Sequence, residues 1–262
     1  MTMIAIPFGT LHKAAFLGRP NRFLLRCALE ESGEEVEVHL ADPGRLRELL
    51  FPGAPVWLRR SDNPRRRTQW SAVLGQDPHT KNLVSLQSVL VNDLVHRALA
   101  QGALDEFGQW PLLRSEYTRA SSRWDFLLGS PQGKQLLLEV KSVTLVEDQV
   151  ALFPDAVTAR GRRHVLELAS LQQLGEFETA VLFVAQRSDA LRFAPQEAID
   201  PAFSEALRFA FNQGVKVYAR SCQVSLEKIV LGHPLPVCLT KEGEYDTGCV
   251  SPDRNCCHLG FR

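Results

Sequence analysis

Ser122-Arg123-Trp124-Asp125-Phe126-Leu127-Leu128, then Gly129-Ser130-Pro131-Gln132-Gly133, then Leu136-Leu137-Leu138-Glu139-Val140-Lys141 is the stretch from which the architecture can be read outward. Trp124, Phe126 and Leu128 alternate with Arg123, Asp125 and Leu127, the period of a half-buried strand with an acid on its less apolar face. In the second run Leu136, Leu138 and Val140 point one way while Glu139 and Lys141 share the other. The Gly/Ser/Pro cluster between them has the length of a hairpin loop. A hairpin symmetric about Gln132 sets Asp125 opposite Glu139 and Arg123 opposite Lys141. Directly opposed residues have Cβ atoms about 4.5–5.5 Å apart, close enough for two carboxylates to share one cation. Without a cation they repel each other. A slip of one residue would send the acids to opposite faces. A third acid, Glu116 in Leu112-Leu113-Arg114-Ser115-Glu116-Tyr117, is predicted on a neighbouring strand.

The chain has seven lysines against 23 arginines, and no other Asp or Glu stands two residues before a lysine. A leucine-rich strand has no packing reason to end in an acid and an ammonium. Both fixed on a rigid element, they can hold a divalent metal and steer a water toward a phosphate. The bland alternative is an exposed cross-strand charge face shared with Arg123 and Asp125.

With 262 residues and 45% hydrophobic content the chain can bury a substantial core, as one large domain or two modest ones. Formal net charge is zero, so any binding of nucleic acid must come from local clusters. No apolar run approaches the roughly 20 residues of a membrane span. Met1 to Phe8 lacks a charged leader and does not read as a secretion signal, so a cytoplasmic protein is expected. Of six cysteines, Cys27 and Cys222 lie in apolar segments and read as buried thiols. Cys238, Cys249, Cys256 and Cys257 crowd the last 25 residues beside His258, without the paired C-x-x-C spacing of a zinc site. Residues 233–262 are read as a flexible, Cys-containing tail.

Up to about Gln87 short strands alternate with turn residues: Ile4-Ala5-Ile6, Arg22 to Leu29, Glu34 to Leu40, Val56-Trp57-Leu58, Trp70 to Leu74 and Leu83 to Leu86. Asp42-Pro43 is predicted to open a short helix bearing Leu46, Leu49 and Leu50, stopped by Pro52-Gly53. A small curled β-unit of this kind suits an OB-type or an SH3-like barrel. Beyond it, helices over Ser88 to Leu99, Thr158 to Leu174 and Phe203 to Phe211 alternate with strands. The strands are predicted over Leu112 to Thr118, Arg123 to Leu128, Lys134 to Lys141, Thr179 to Gln186 and Val215 to Ala219. That order argues for an α/β unit. The division is therefore 1–85, 86–232 and the tail, with no linker near residues 82–88.

An Asp on one strand followed by Glu-x-Lys on the next resembles the PD-(D/E)-x-K nuclease core, with Trp124 where that motif's proline often stands. A longer string is more specific. Arg19-Pro20-Asn21-Arg22-Phe23, His39-Leu40-Ala41-Asp42-Pro43-Gly44-Arg45-Leu46, Ser122 to Phe126, Glu139-Val140-Lys141-Ser142-Val143-Thr144-Leu145 and Phe153-Pro154-Asp155-Ala156 before Arg160-Gly161 resemble the sugar fermentation stimulation protein A family, in order, over about residues 5 to 232. The resemblance implies a DNA-binding protein: a small OB-like β-barrel followed by a PD-(D/E)-x-K nuclease-like α/β domain with a mixed central sheet. It leaves two functions open, a Mg²⁺- (or Mn²⁺-) dependent nuclease and a non-catalytic DNA-binding regulator of sugar (maltose-type) metabolism.

In the nuclease reading Asp125 and Glu139 ligate the metal, since Mg²⁺ keeps several waters and takes one or two carboxylates. Lys141 positions the attacking water, and Glu116 completes the acidic set. Asp155 either caps the next helix or touches the metal. Arg160 and His164, in that helix's first turns, are expected on phosphate, which helix N-termini favour. Arg65, Arg66 and Arg67 on a barrel loop, with Trp70 beyond it, fit the way OB units track phosphates and stack bases. Trp70 fits the barrel core equally well. Arg22, Arg45 and Arg123 are the remaining candidates for nucleic acid, DNA or RNA. Oligomeric state stays open, and no G-x-G-x-x-G, Walker-type or G-x-S-x-G motif is present.

Overall fold

The structure, a computed structural model, describes residues 3–119, 121–240 and the backbone of 249–250. The chain starts with β1 (Ala5–Pro7) and enters a barrel of β2 (His12–Asn21), β3 (Leu24–Leu29), β4 (Glu35–His39), β5 (Pro55–Arg60) and β6 (Trp70–Gln76), with β7 (Leu83–Ser85) hung on β6. A parallel pairing of β4 with β6, Val38 to Trp70 and His39 to Ser71, closes the five strands and removes their edges. Alternate residues fill the interior: Ala14 and Phe16, Leu25 and Cys27, Val56 and Leu58.

The helix predicted after Asp42 does not form. The Asp42 carboxylate accepts the Gly44 N–H at 2.7 Å, and Leu46 takes a left-handed φ of 51°, leaving one turn closed by the Leu50 N–H on the Leu46 carbonyl at 2.8 Å. Leu46 and Leu49 are nevertheless buried in the barrel core. Their spacing recorded burial rather than a helix. The long strand β2 is not announced by the pattern, because Ala15 and Leu17 put apolar side chains on its outer face and blur the alternation.

From the barrel the chain runs through α1 (Val89–Ala100) into β8 (Leu112–Arg119), β9 (Ser122–Gly129), β10 (Gln135–Val143), β11 (Leu145–Glu147) and β12 (Val150–Phe153). It continues as α2 (Ala159–Gln173), β13 (Glu178–Ala185), β14 (Arg192–Pro195), α3 (Pro201–Asn212), β15 (Lys216–Val224), β16 (Lys228–Leu235) and β17 (Val237–Cys238), with β18 (Cys249–Val250) beyond. The central sheet has the order β1-β16-β15-β13-β10-β9-β8, parallel across β10, β13 and β15 and antiparallel elsewhere. It is the mixed sheet that was expected. One core, with Leu137, Val181 and Phe183, packs under α2 and α3; the other, with Phe126, Leu138 and Leu182, packs under α1. Val73 and Leu74 of the barrel enter that second core, so the two parts share apolar surface.

The expected division differs from the structure at both ends. β1 lies outside the barrel, antiparallel to β16 at the far edge of the central sheet (Ala5 opposite Val230), where Ile4, Ile6 and Phe8 are buried. The chain thus begins in the sheet, leaves to build the barrel and returns. At the other end β16 runs through residue 232 to Leu235, and β17 pairs with β14, so regular structure continues into the segment read as a tail. Cys27 and Cys222 are buried free thiols. Cys256, Cys257 and His258 lie outside the described residues, and no described helix is long and apolar enough to cross a membrane.

Candidate functional site

The β9–β10 ladder pairs Gln135 with Gly129, Leu136 with Leu128, Leu137 with Leu127 and Leu138 with Phe126, a register centred on Gln132. There it stops. One position further on, where Glu139 would face Asp125, the Asp125 Oδ2 accepts the Val140 N–H at 2.7 Å in place of a strand carbonyl. The two strands open at a carboxylate, while β10 stays parallel to β13 as far as Val143 opposite Ala185. Glu139 and Lys141 therefore stand on a strand braced from one side and open on the other.

Asp125 Oδ1 accepts the Asn92 side-chain N–H at 2.8 Å, which ties α1 to the site. Glu139 is only 4% exposed; its Oε1 accepts from Lys141 Nζ and faces His164 Nδ1 at 2.7 Å, and its Oε2 is buried with no hydrogen-bond partner among the described residues. Burial, then the nearby Glu139 charge, pushes the Asp125 carboxyl up to about 6. Burial also pushes Glu139 upward, but the hydrogen bond from His164 and the Lys141 ammonium outweigh it and hold Glu139 below the usual range. The pair thus divides into an acid that stays ionised and one that is easily protonated. Two hard carboxylates, one with a buried oxygen free, fit a cation such as Mg²⁺. Among the described residues no cluster of three or more His, Cys, Asp or Glu side chains is arranged to cage a metal, so a cation there would keep other ligands, water above all.

The remaining predicted residues divide. Glu116 sits between Ser115 and Tyr117, which pair with Phe126 and Trp124, and so lies alongside Asp125. Its φ of 55° turns the chain, and its exposed carboxylate meets Arg123 at 3.5 Å; no hydrogen bond or ion pair among the described residues joins it to Asp125 or Glu139. Glu116 thus pairs with Arg123 at the surface and is not brought to the two buried carboxylates. His164, expected on phosphate, is 2% exposed and turned inward to Glu139. Arg160 is exposed and donates Nε–H to His164 Nε2 at 3.4 Å.

Asp155 caps no helix, since Thr158 accepts the Gly161 N–H at the start of α2. Instead Asp155 accepts the Leu46 N–H of the barrel loop at 3.2 Å. Gly44 is required there: a Cβ would stand 2.4 Å from Asp155 Oδ2. Beside it burial, more than the Asp155 charge, lifts the Asp42 carboxyl to about 6. Arg19 donates to the carbonyls of Arg45 at 2.8 Å and Arg22 at 2.7 Å, pinning together the two segments that carry the exposed Arg22 and Arg45 side chains. Ser88, just before α1, donates to the Ala41 carbonyl at 3.3 Å. The loop that carries Arg45 is thus seated against the segments that start α1 and α2.

Arg65, Arg66 and Arg67 occupy the β5–β6 loop, and no ion pair among the described residues takes up their charge. No hydrogen bond or ion pair among the described residues links that loop to the carboxylates. Trp70 is half-buried against the barrel core, with His12 edge-on at 5.1 Å and the Arg60 guanidinium 5.9 Å above its ring. Sequence reasoning missed Asn92 and Arg19 as partners. Asn92 had a faint signal as a polar residue on the wet side of α1; Arg19 lay inside a family-like segment.

Comparison with known proteins gives the same two parts. Residues 17–86 match the SfsA N-terminal OB domain and residues 89–228 the domain described as "Sugar fermentation stimulation protein RE domain". A sugar fermentation stimulation protein homolog of Shouchella clausii is 45% identical over 87% of this chain and 97% of its own length. One from Moorella thermoacetica is 44% identical over 90% of this chain and 99% of its own. Pyrococcus furiosus SfsA, solved in complex with Ca²⁺, superposes with a TM-score of 0.81 at 24% identity, over 90% of this chain and 99% of that one.

Proposed function

The chain belongs to the sugar fermentation stimulation protein family, and from that premise and the opened β9–β10 ladder we propose that it binds DNA and cuts phosphodiester links with a divalent cation held by Asp125 and Glu139. The observation that carries this reading is the buried, unpartnered Oε2 of Glu139 beside Asp125. An ionised oxygen without a partner is costly in a fold, and a cation offsets that cost. The Ca²⁺ in the archaeal structure supports a cation site in the family. Mg²⁺ or Mn²⁺ would supply Lewis-acid polarisation of a phosphate and a lowered pKa for a bound water.

The chain's own residues do the rest. Asp125 is aimed by Asn92 and the Val140 N–H, and Glu139 by Lys141 and His164. Lys141 offers an ammonium to a phosphate oxygen or to the incoming water. Arg45 on the seated barrel loop, Arg22 on the β2–β3 turn pinned to it by Arg19, and Arg160 on α2 give a nucleic-acid backbone a basic approach from barrel to sheet. A second reading, DNA binding without cutting in the regulation of sugar metabolism, is favoured by the engagement of both Asp125 oxygens and Glu139 Oε1 within the protein.

Linear, nicked, branched and single-stranded DNA, and RNA, incubated with Mg²⁺ or Mn²⁺, separate the two. Cutting is expected and should fall at least about 100-fold in Asp125→Asn and Lys141→Ala. Cutting that persists in both variants removes these residues from the chemistry. Binding to every substrate with cutting of none selects the regulator.

A further inference from the structure

We propose that Arg160 and His164 form a built support for Glu139, one that dictates which of its oxygens is left for a cation. This rests on the cation-site reading above and adds two positioning residues to it. Arg160 and His164 lie four residues apart on α2, so their side chains stack on one face. An arginine side chain has donors and no acceptor. Its Nε–H on His164 Nε2 therefore makes that nitrogen the acceptor, and the ring proton must sit on Nδ1, 2.7 Å from Glu139 Oε1. The imidazole is held as a donor to one carboxylate oxygen, with Trp124 packed beside the ring at 5.5 Å.

Lys141 donates to that same Oε1. With two donors on one oxygen and none on the other, the carboxylate cannot rotate without abandoning both, and Oε2 is presented bare and buried. The pattern is that of a group which orients a metal ligand without touching the metal, and losing such a group typically costs 10–100-fold in metal affinity.

The test is Mn²⁺ binding to the full chain without nucleic acid, followed by the loss of the free-ion electron paramagnetic resonance signal. Glu139→Gln should abolish the tight site. His164→Ala should weaken it about 10–100-fold. His164→Asn, whose amide N–H falls near the position of Nδ1, should recover most of the loss. Arg160→Ala, at an exposed position, should weaken binding by less than His164→Ala, because the ring proton is no longer assigned to Nδ1. If His164→Ala does not fold, His164→Gln, whose amide falls near Nε2 instead, takes its place and should fail to rescue. Binding lost in Glu139→Gln but unchanged in the His164 and Arg160 variants overturns the support while leaving the cation site standing. No Mn²⁺ binding by the unaltered chain overturns both.

Discussion

Two buried charge clusters in this protein are built from similar groups and end in opposite conditions. At the seam between barrel and sheet, the fully buried Arg187 guanidinium donates to Asp189 through Nε and Nη2 at 2.6 Å, to Asp77 at 2.8 Å and to the Thr144 carbonyl at 3.2 Å. Burial pushes Asp77 up, but the Thr80 and His79 N–H groups and the Arg187 guanidinium outweigh it and hold its carboxyl at about 2. Every polar atom of that guanidinium has a partner. At the end of the β9–β10 ladder, Glu139 is almost as deeply placed and has an ammonium and an imidazole on one oxygen, yet its other oxygen has no hydrogen-bond partner among the described residues. A cluster that closes on itself fastens the fold. One that leaves a buried lone pair open is where the proposed cation would bind.

The comparison is broken most directly at Arg187. Arg187→Ala strands Asp77 and Asp189 and should cost about 3–5 kcal/mol in denaturant unfolding. Glu139→Gln should move stability less, because its amide oxygen can still accept from Lys141 and His164. Equal losses in the two variants would erase the distinction.

The seam can be sharpened through Asp42, whose folded value of about 6 lies above its ordinary 3.8. A raised folded pKa contributes stability that is complete below the unfolded value and lost as pH rises through the folded one. From about pH 4 to pH 7 the native chain should therefore lose on the order of 2–3 kcal/mol that Asp42→Asn retains, read as the difference between their unfolding free energies across that window. Gly44→Ala places a Cβ 2.4 Å from Asp155 Oδ2. It should cost about 1–3 kcal/mol in the same assay, and Asp155→Ala should relieve part of it. The smallest effect is expected at the β5–β6 loop. If Arg65, Arg66 and Arg67 track a backbone, replacing them with Ala lowers the slope of log affinity against log salt by about one for each phosphate they neutralise. An unchanged slope excludes the loop.

The hairpin was legible because strand side chains alternate with a period of two: once the turn was placed at Gln132, the Phe126–Leu138 pairing and the neighbouring position of the acids followed. Glu116 was misplaced by the same logic. Its strand and position were sound, but a left-handed φ, invisible to alternation, turned its carboxylate to Arg123. The leucines after Asp42 kept their burial and lost their helix, since spacing reports which residues are hidden and not the backbone that hides them.

Local pattern, then, was enough to determine the barrel-like run of strands, the α/β alternation, the central hairpin and the candidacy of Asp125, Glu139 and Lys141. Each rests on interactions a few residues apart along the chain. Which oxygen of Glu139 stays bare, that Asn92 and His164 converge from two helices, that Asp155 seats the barrel loop and that the first strand closes the far edge of the sheet were decided only in three dimensions. These depend on residues far apart in sequence, whose distances are set by packing and leave no period behind.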